Sequence, residues 1–138
     1  DETFPIGGSK TVRGSDHDAV TVIGAGVTLH EALAAYDELA QEGITIRVID
    51  LYSVKPVDVP TLRKAAEDTQ ALLTVEDHYP EGGIGEAVRS AFDGTPATIY
   101  SLAVRRIART GKPEELLDYV EISRSAIAKK VREIVNHG

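Results

Sequence analysis

Cysteine, methionine and tryptophan are all absent from this chain of 138 residues. Without cysteine there is no disulfide scaffold, no thiolate nucleophile and no cysteine-ligated zinc. That composition agrees with a cytoplasmic location. The lack of methionine extends to position 1. The opening Asp1-Glu2-Thr3-Phe4-Pro5 resembles neither a secretory signal nor a transit peptide. The expectation is a domain excised from a larger protein. Aromatic residues are only 5% of the chain. No stretch approaches the ~20 consecutive apolar residues of a membrane-spanning helix, so no membrane partner is expected. An excess of basic residues is missing too. Fifteen Lys and Arg face 22 Asp and Glu, for a formal charge of −7, which argues against a nucleic-acid partner.

Hydrophobic residues make up 42% and charged residues 27% of the chain, the balance of one globular domain with one core. The segment from Asp1 to Asp18 is a polar, Gly-rich lead-in, in which Thr11-Val12-Arg13 suits a short strand. Val20 to Gly24 is a continuous apolar run rich in β-branched residues, as expected of a strand buried on both faces. Gly24-Ala25-Gly26 ends it. Thr28 and Glu31 have capping-box spacing, with Thr28 as N-cap. Leu29, Leu33, Tyr36 and Ala40 then recur at helical spacing, and Gly43 suits a C-terminal cap. A second strand is expected over Ile44 to Leu51, and a helix opens at Asp58-Val59-Pro60 and runs to about Thr69. Ala71 to Val75 and Ala97 to Val104 read as further strands. Between them an acidic, Gly-rich loop from Glu76 to Gly85 leads into a short helix. Pro113 opens a short helix through about Tyr119, and Ser123 caps a last one with Ile127, Val131, Ile134 and Val135 facing inward. Alternating strands and helices of this kind imply a parallel sheet covered on both sides.

Gly24-Ala25-Gly26, between a strand and a helix, with Asp50 ending the next strand, resembles part of a dinucleotide-binding fingerprint. The third small residue is missing, because Leu29 stands there, and a leucine is expected to hold the helix away from the strand. The better reading is a tight strand-to-helix turn. Glu76, Asp77 and His78 lie just past a strand, at the sheet edge where α/β proteins bind ligands. Two carboxylates beside a histidine suit acid–base or metal chemistry. Structural hydrogen bonding within the loop is the competing reading. His17 sits in an Asp-His-Asp turn, His30 near a helix start and His137 near the chain end. Arg105, Arg106, Arg109 and Lys112 form a local basic cluster suited to phosphate or an acidic surface, or simply to solvent. Ser9, Ser53 and Ser90 lack any nucleophile motif. No complete catalytic constellation emerges.

Four ordered blocks nevertheless resemble the C-terminal domain of the transketolase family. They are Val20 to Leu33, Ile46 to Leu51 with Lys55-Pro56, Val75 to Tyr79 with Glu81 to Val88, and Arg109 to Leu117. The resemblance implies a Rossmann-like three-layer α/β/α domain spanning 1–138, with residues 1–18 a lead-in with an edge strand and 19–138 the core. Its five-stranded mixed sheet has the order 1-3-2-4-5. The first strand, near Lys10 to Arg13, runs antiparallel to the others. The resemblance also implies a parent enzyme that moves a two-carbon ketol unit between sugar phosphates of the pentose phosphate pathway. That enzyme uses thiamine diphosphate and a divalent cation, Mg or Ca, both held by its other domains. No catalytic, cofactor-binding or metal-binding residue of this chain is implied, so Glu76, Asp77, His78, Gly24 and Gly26 carry no transferred role. The implied partners are the pyrimidine-binding domain of the same chain and the second subunit of a homodimer. The corresponding domain of pyruvate dehydrogenase-type enzymes contributes to dimerisation and to docking of an acyltransferase core. A free-standing nucleotide- or anion-binding module, or the equivalent domain of another thiamine enzyme, are the alternatives.

Overall fold

The computed structural model describes residues 9–52, 57–77, 83–104 and 113–137. They form β1 (Lys10–Arg13), β2 (Val20–Gly24), α1 (Val27–Ala40), β3 (Ile46–Asp50), α2 (Val59–Asp68), β4 (Ala71–Asp77), α3 (Ile84–Ser90), β5 (Ile99–Val104) and α4 (Pro113–His137). The five strands make one sheet in the order β1-β3-β2-β4-β5. β1 runs antiparallel to β3, with Lys10 opposite Asp50 and a register shift between Thr11 and Arg13. The remaining neighbours are parallel. This is the sheet that the family resemblance implies.

Alternation along the strands divides the interior in two. Val20, Val22, Ile46, Val48, Leu73 and Val75 face α1 and α4 and pack on Ala32, Ala35, Leu39, Ile127 and Val131. Ile23, Ile49 and Leu72 face the other way, toward Leu62, Ala65, Val88 and Phe92 of α2, α3 and the turn that follows α3. β2 and residues 71–75 of β4 are buried on both faces, and mostly apolar, because each face meets a helical layer. Thr21 is a buried exception. Its hydroxyl meets that of Thr69 at 2.9 Å, and Thr69 donates to Ala65 O at 2.8 Å, closing the end of α2.

Several local expectations hold and several shift. β2 spans the expected residues. Asp58 caps α2 by accepting from Thr61 N at 3.2 Å, with Pro60 in the first turn. Gly43, at φ 81°, lies three residues past Ala40 in the turn that ends α1. Ile44 N–H donates to Leu39 O at 3.0 Å and Gly43 N–H to Ala40 O at 3.1 Å, the paired bonds of a Schellman stop. At the other end of α1 the capping box does not form. The helix begins at Val27 with Gly26 as N-cap and no side-chain cap bond. Thr28, two residues past the N-cap, folds its hydroxyl back on Ala25, accepting from its N–H at 3.0 Å and donating to its O at 2.9 Å. The buried face of α1 is also rotated. Ala32, Ala35 and Leu39 are fully buried, Leu29, Leu33 and Tyr36 are half-buried, and Ala40 is exposed. Small alanines let α1 lie close to the sheet while the larger side chains fill its flanks. Finally, α4 is one helix of 25 residues, with no break before Ser123. Ser123 is fully buried within that helix instead of capping it. Ion pairs tie α4 to α1. Arg124 meets Glu38 at 3.2 Å, and Arg132 bridges Glu38 and Glu42.

Candidate functional site

The carboxyl ends of β2, β3, β4 and β5 share one edge of the sheet, and antiparallel β1 brings its amino end to the same edge. Ligands of open α/β sheets bind at this edge, so the candidate site is built here.

At the end of β2, Gly24 sits under the start of α1. A Cβ on it would lie 2.9 Å from Thr28 Oγ1, 3.1 Å from the Thr28 carbonyl carbon and 3.2 Å from Leu29 N. The close helix–strand approach is therefore made at Gly24. Leu29 does not lever the helix away, because it is half-buried against the α1/α4 core. Gly26 has φ 58°, a left-handed conformation that costs little only in glycine. These roles account for both glycines as parts of a tight turn.

Beside that turn, Asp50 ends β3 opposite Lys10. Partial burial pushes its carboxyl above the usual range, opposed by the positive fields of Lys10 and His30. Burial and the negative charges of Asp50 and Asp58 raise the Tyr52 phenol. Asp58 accepts from Ser9 Oγ at 2.8 Å and from Thr61 Oγ1 at 2.8 Å. The clasp between Ser9 and Asp58 joins the chain just before β1 to the start of α2.

Further along the edge, Thr74 of β4 meets Ser101 of β5 at 3.0 Å between hydroxyls. Gly85 of α3 lies over them. A Cβ there would be 3.1 Å from Glu76 Oε2, 3.2 Å from an Arg89 guanidinium nitrogen and 3.3 Å from Ser101 Oγ. Gly83, at φ 59°, precedes α3. These glycines of the loop after β4 thus let α3 descend onto polar groups. β4 continues through Glu76 and Asp77, two residues beyond the expected end. Glu76 is half-buried.

Other singled-out residues scatter. His78, Ser53, Lys55, Pro56, Arg105, Arg106, Arg109 and Lys112 lie outside the described residues. His17 is in the loop between β1 and β2 and His137 ends α4, both exposed and both at the opposite, amino edge of the sheet. His30 is exposed at the carboxyl edge. Ser90 bonds Ala87 O within its own helix at 2.7 Å. Among the described residues, no group of three or more His, Asp or Glu is placed to hold a metal ion. A groove of about 730 Å³ lies between β1 and α2, lined by Thr11, Arg47, Lys64 and Asp68 among others. Its two cations are already engaged: Asp68 takes Arg47 at 3.1 Å and Lys64 at 3.3 Å. Buried Asp18 also meets Arg47 at 3.5 Å. The clasp at Ser9 and the Arg47 network were not signalled by any motif. Only the Asp58 half of the clasp has a sequence mark, its capping position before Pro60.

A mixed sheet of this order between two helical layers defines a doubly wound α/β domain with a polar carboxyl edge. The comparisons with known proteins place it more narrowly. Residues 9–127 match the family described as "Transketolase, C-terminal domain", and the chain belongs to that family. It is 54% identical over 136 residues to transketolase from Homo sapiens and 52% identical over 136 residues to transketolase-like protein 1 from Bos taurus. These alignments cover 97% of this chain but only 22% and 23% of the two relatives. A solved "split gene transketolase, inactive beta4 tetramer" superposes with a TM-score of 0.77 at 28% identity, over 96% of this chain and 44% of that one. Transketolase from Pichia stipitis shares the fold, with a TM-score of 0.61 at 17% identity over 94% of this chain and 18% of that one.

Proposed function

We propose that this chain is the C-terminal domain of a transketolase, an enzyme that transfers a two-carbon ketol unit between sugar phosphates in the pentose phosphate pathway. The observation that carries the reading is the family match over residues 9–127, joined to about 50% identity with transketolases along nearly the whole chain. In this reading thiamine diphosphate and its divalent cation are held by the other domains of the parent. The domain spans 1–138, with a lead-in to residue 18 and the core from residue 19. Its own residues supply no catalytic group, cofactor ligand or metal ligand. Its work is structural: it packs against the pyrimidine-binding domain and the second subunit of a cytoplasmic homodimer.

Calorimetry of the isolated domain tests this. Titration with thiamine diphosphate and Mg²⁺ should give no saturable heat, while the full-length chain should bind the cofactor and transfer ketol units. Saturable binding to the domain alone, or a full-length chain without ketol transfer, refutes the proposal.

A further inference from the structure

We propose that the Asp93–Gly94 bond is a modification site, at which the folded protein converts aspartate to isoaspartate spontaneously through a cyclic imide.

The chemistry joins two adjacent groups. The backbone nitrogen of the residue after an aspartate attacks the side-chain carbonyl carbon, Cγ. The new N–Cγ bond closes a five-membered ring, and the carboxyl OH leaves with the amide proton as water. Water then reopens the ring. Opening at the main-chain carbonyl frees that group as a carboxylate and routes the chain through the side chain. One water is lost and one returns, so no oxidant or reductant is involved. The fold permits the step where the carboxyl is unengaged, the amide is not committed to a hydrogen bond and the attacking residue has room.

Asp93 and Gly94 meet all of these conditions. They sit at the centre of the turn between α3 and β5, which Thr95 N–H closes on Phe92 O at 2.8 Å. Both are exposed. Among the described residues, neither the Asp93 carboxyl nor the Gly94 N–H has a hydrogen bond or an ion pair. Gly94 has φ 74°, and a Cβ on it would touch nothing within 4 Å. Glycine places no side chain beside its own nitrogen, and its backbone freedom lets the turn reach the closing geometry. No other aspartate of the chain is followed by glycine.

The other described aspartates are disarmed by the fold. The amide after Asp18 bonds Thr45 O at 2.8 Å and that after Asp50 bonds Gly24 O at 2.9 Å. The amide after Asp58 bonds Val57 O and that after Asp68 bonds Ala65 O, both at 3.0 Å. Asp37 lies inside α1, and the amide after Asp16 meets Ser15 Oγ at 3.4 Å. The product has a consequence for packing. Isoaspartate adds one carbon to the main chain, yet the turn is pinned on both sides. Phe92 is 7% exposed in the core with α2 and α3, and Thr98 O accepts from Leu72 N at 2.9 Å just before β5. The added length must be taken up between them, at the bond from Thr95 to Phe92.

Ageing of full-length protein in heavy-oxygen water at neutral pH tests the proposal. One sample is kept native and one unfolded in guanidinium chloride. Peptide mass spectrometry with electron-transfer fragmentation then reads solvent oxygen and isoaspartate at each position. The native Asp93 peptide should react within about five-fold of its unfolded rate, because no structure has to open first. The Asp18 peptide, buried and bonded, should react at least about ten-fold more slowly native than unfolded. Asp93→Glu, which would need a larger ring, should leave that position unlabelled. A native Asp93 rate more than about five-fold below its unfolded rate overturns the proposal. So does native reaction at Asp18 that keeps pace with its unfolded rate, or label that persists at the position in Asp93→Glu.

Discussion

The closeness of β2 and α1 makes Gly24→Ala the sharpest test of how this fold is built. The new Cβ would meet Thr28 Oγ1 at 2.9 Å, the Thr28 carbonyl carbon at 3.1 Å and Leu29 N at 3.2 Å. Comfortable contacts of carbon lie near ~3.5–4.0 Å, so all three neighbours must give. Two of them are backbone atoms at the start of α1. They move only if the helix moves, and the helix is locked by fully buried Ala32, Ala35 and Leu39. Overpacking of this kind costs about 1–3 kcal/mol. Stiffening of the unfolded chain by alanine returns roughly 0.4–1 kcal/mol. The net loss should be about 1–2 kcal/mol. With a urea slope of about 2 kcal/mol per M for a domain of this size, the unfolding midpoint should fall by roughly 0.5–1 M at unchanged slope. Thr28→Ala separates the contacts. It removes the hydroxyl but leaves both backbone atoms, so Gly24→Ala should still destabilise in that background. A midpoint that stays or rises on Gly24→Ala refutes the close-approach account.

Three further outcomes are expected. Asp58→Ala, which removes the α2 cap and the acceptor of Ser9, should cost about 1–2 kcal/mol in urea unfolding, and Asp58→Ser should recover most of it. Asp50 has its carboxyl raised by burial, so the folded state binds its proton more readily than the unfolded state does. Its charge therefore opposes folding at pH 7, and Asp50→Asn should keep or raise the thermal midpoint there, the difference vanishing in acid below about pH 4; a lowered midpoint contradicts this. Asp68 is shifted the other way, held low chiefly by its hydrogen bond from Arg47. It stabilises above the ordinary carboxylate range and loses that effect as pH falls through its depressed value. Thermal scans of Asp68→Asn should thus show a lower midpoint than the parent at pH 7, with the two curves converging in strong acid.

Much of the sheet could be read from residue pattern alone. Runs such as Val20 to Gly24 and Ala71 to Val75 are apolar on both faces, and a doubly covered parallel sheet is the economical way to bury them. Asp58-Val59-Pro60 announced α2 because an acceptor side chain followed by proline suits a first turn and little else. β1 was harder. It has four residues, with alternate ones exposed, so only Thr11-Val12-Arg13 gave a faint local signal. Its antiparallel place at the sheet edge came from the family resemblance. The start of α1 misled because the capping-box spacing of Thr28 and Glu31 begins two residues past the true N-cap, where the threonine hydroxyl instead closes the loop at Ala25. The boundary expected at Ser123 rested on a serine that the helix simply buries. Within the candidate site, Asp50 and Glu76 were found by position. The hydrogen bonds elsewhere along the edge were not, since Ser9 and Thr61 reach Asp58 across 49 and 3 residues and Thr74 reaches Ser101 across 27, and only the shortest of these separations leaves a local motif.

The register shift between Thr11 and Arg13 has one more consequence. A sheet grows by offering a straight row of amides and carbonyls, and a bulge in a four-residue border strand breaks that row. Arg13, just past the irregularity, lies over the Tyr36 ring at 5.7 Å, which pins this margin to the helix above it. β5, at the opposite border, has six residues in unbroken register with β4. The sheet is thus lopsided toward its neighbours. An additional strand, from a partner or from an aggregating copy, would be turned away on the β1 side.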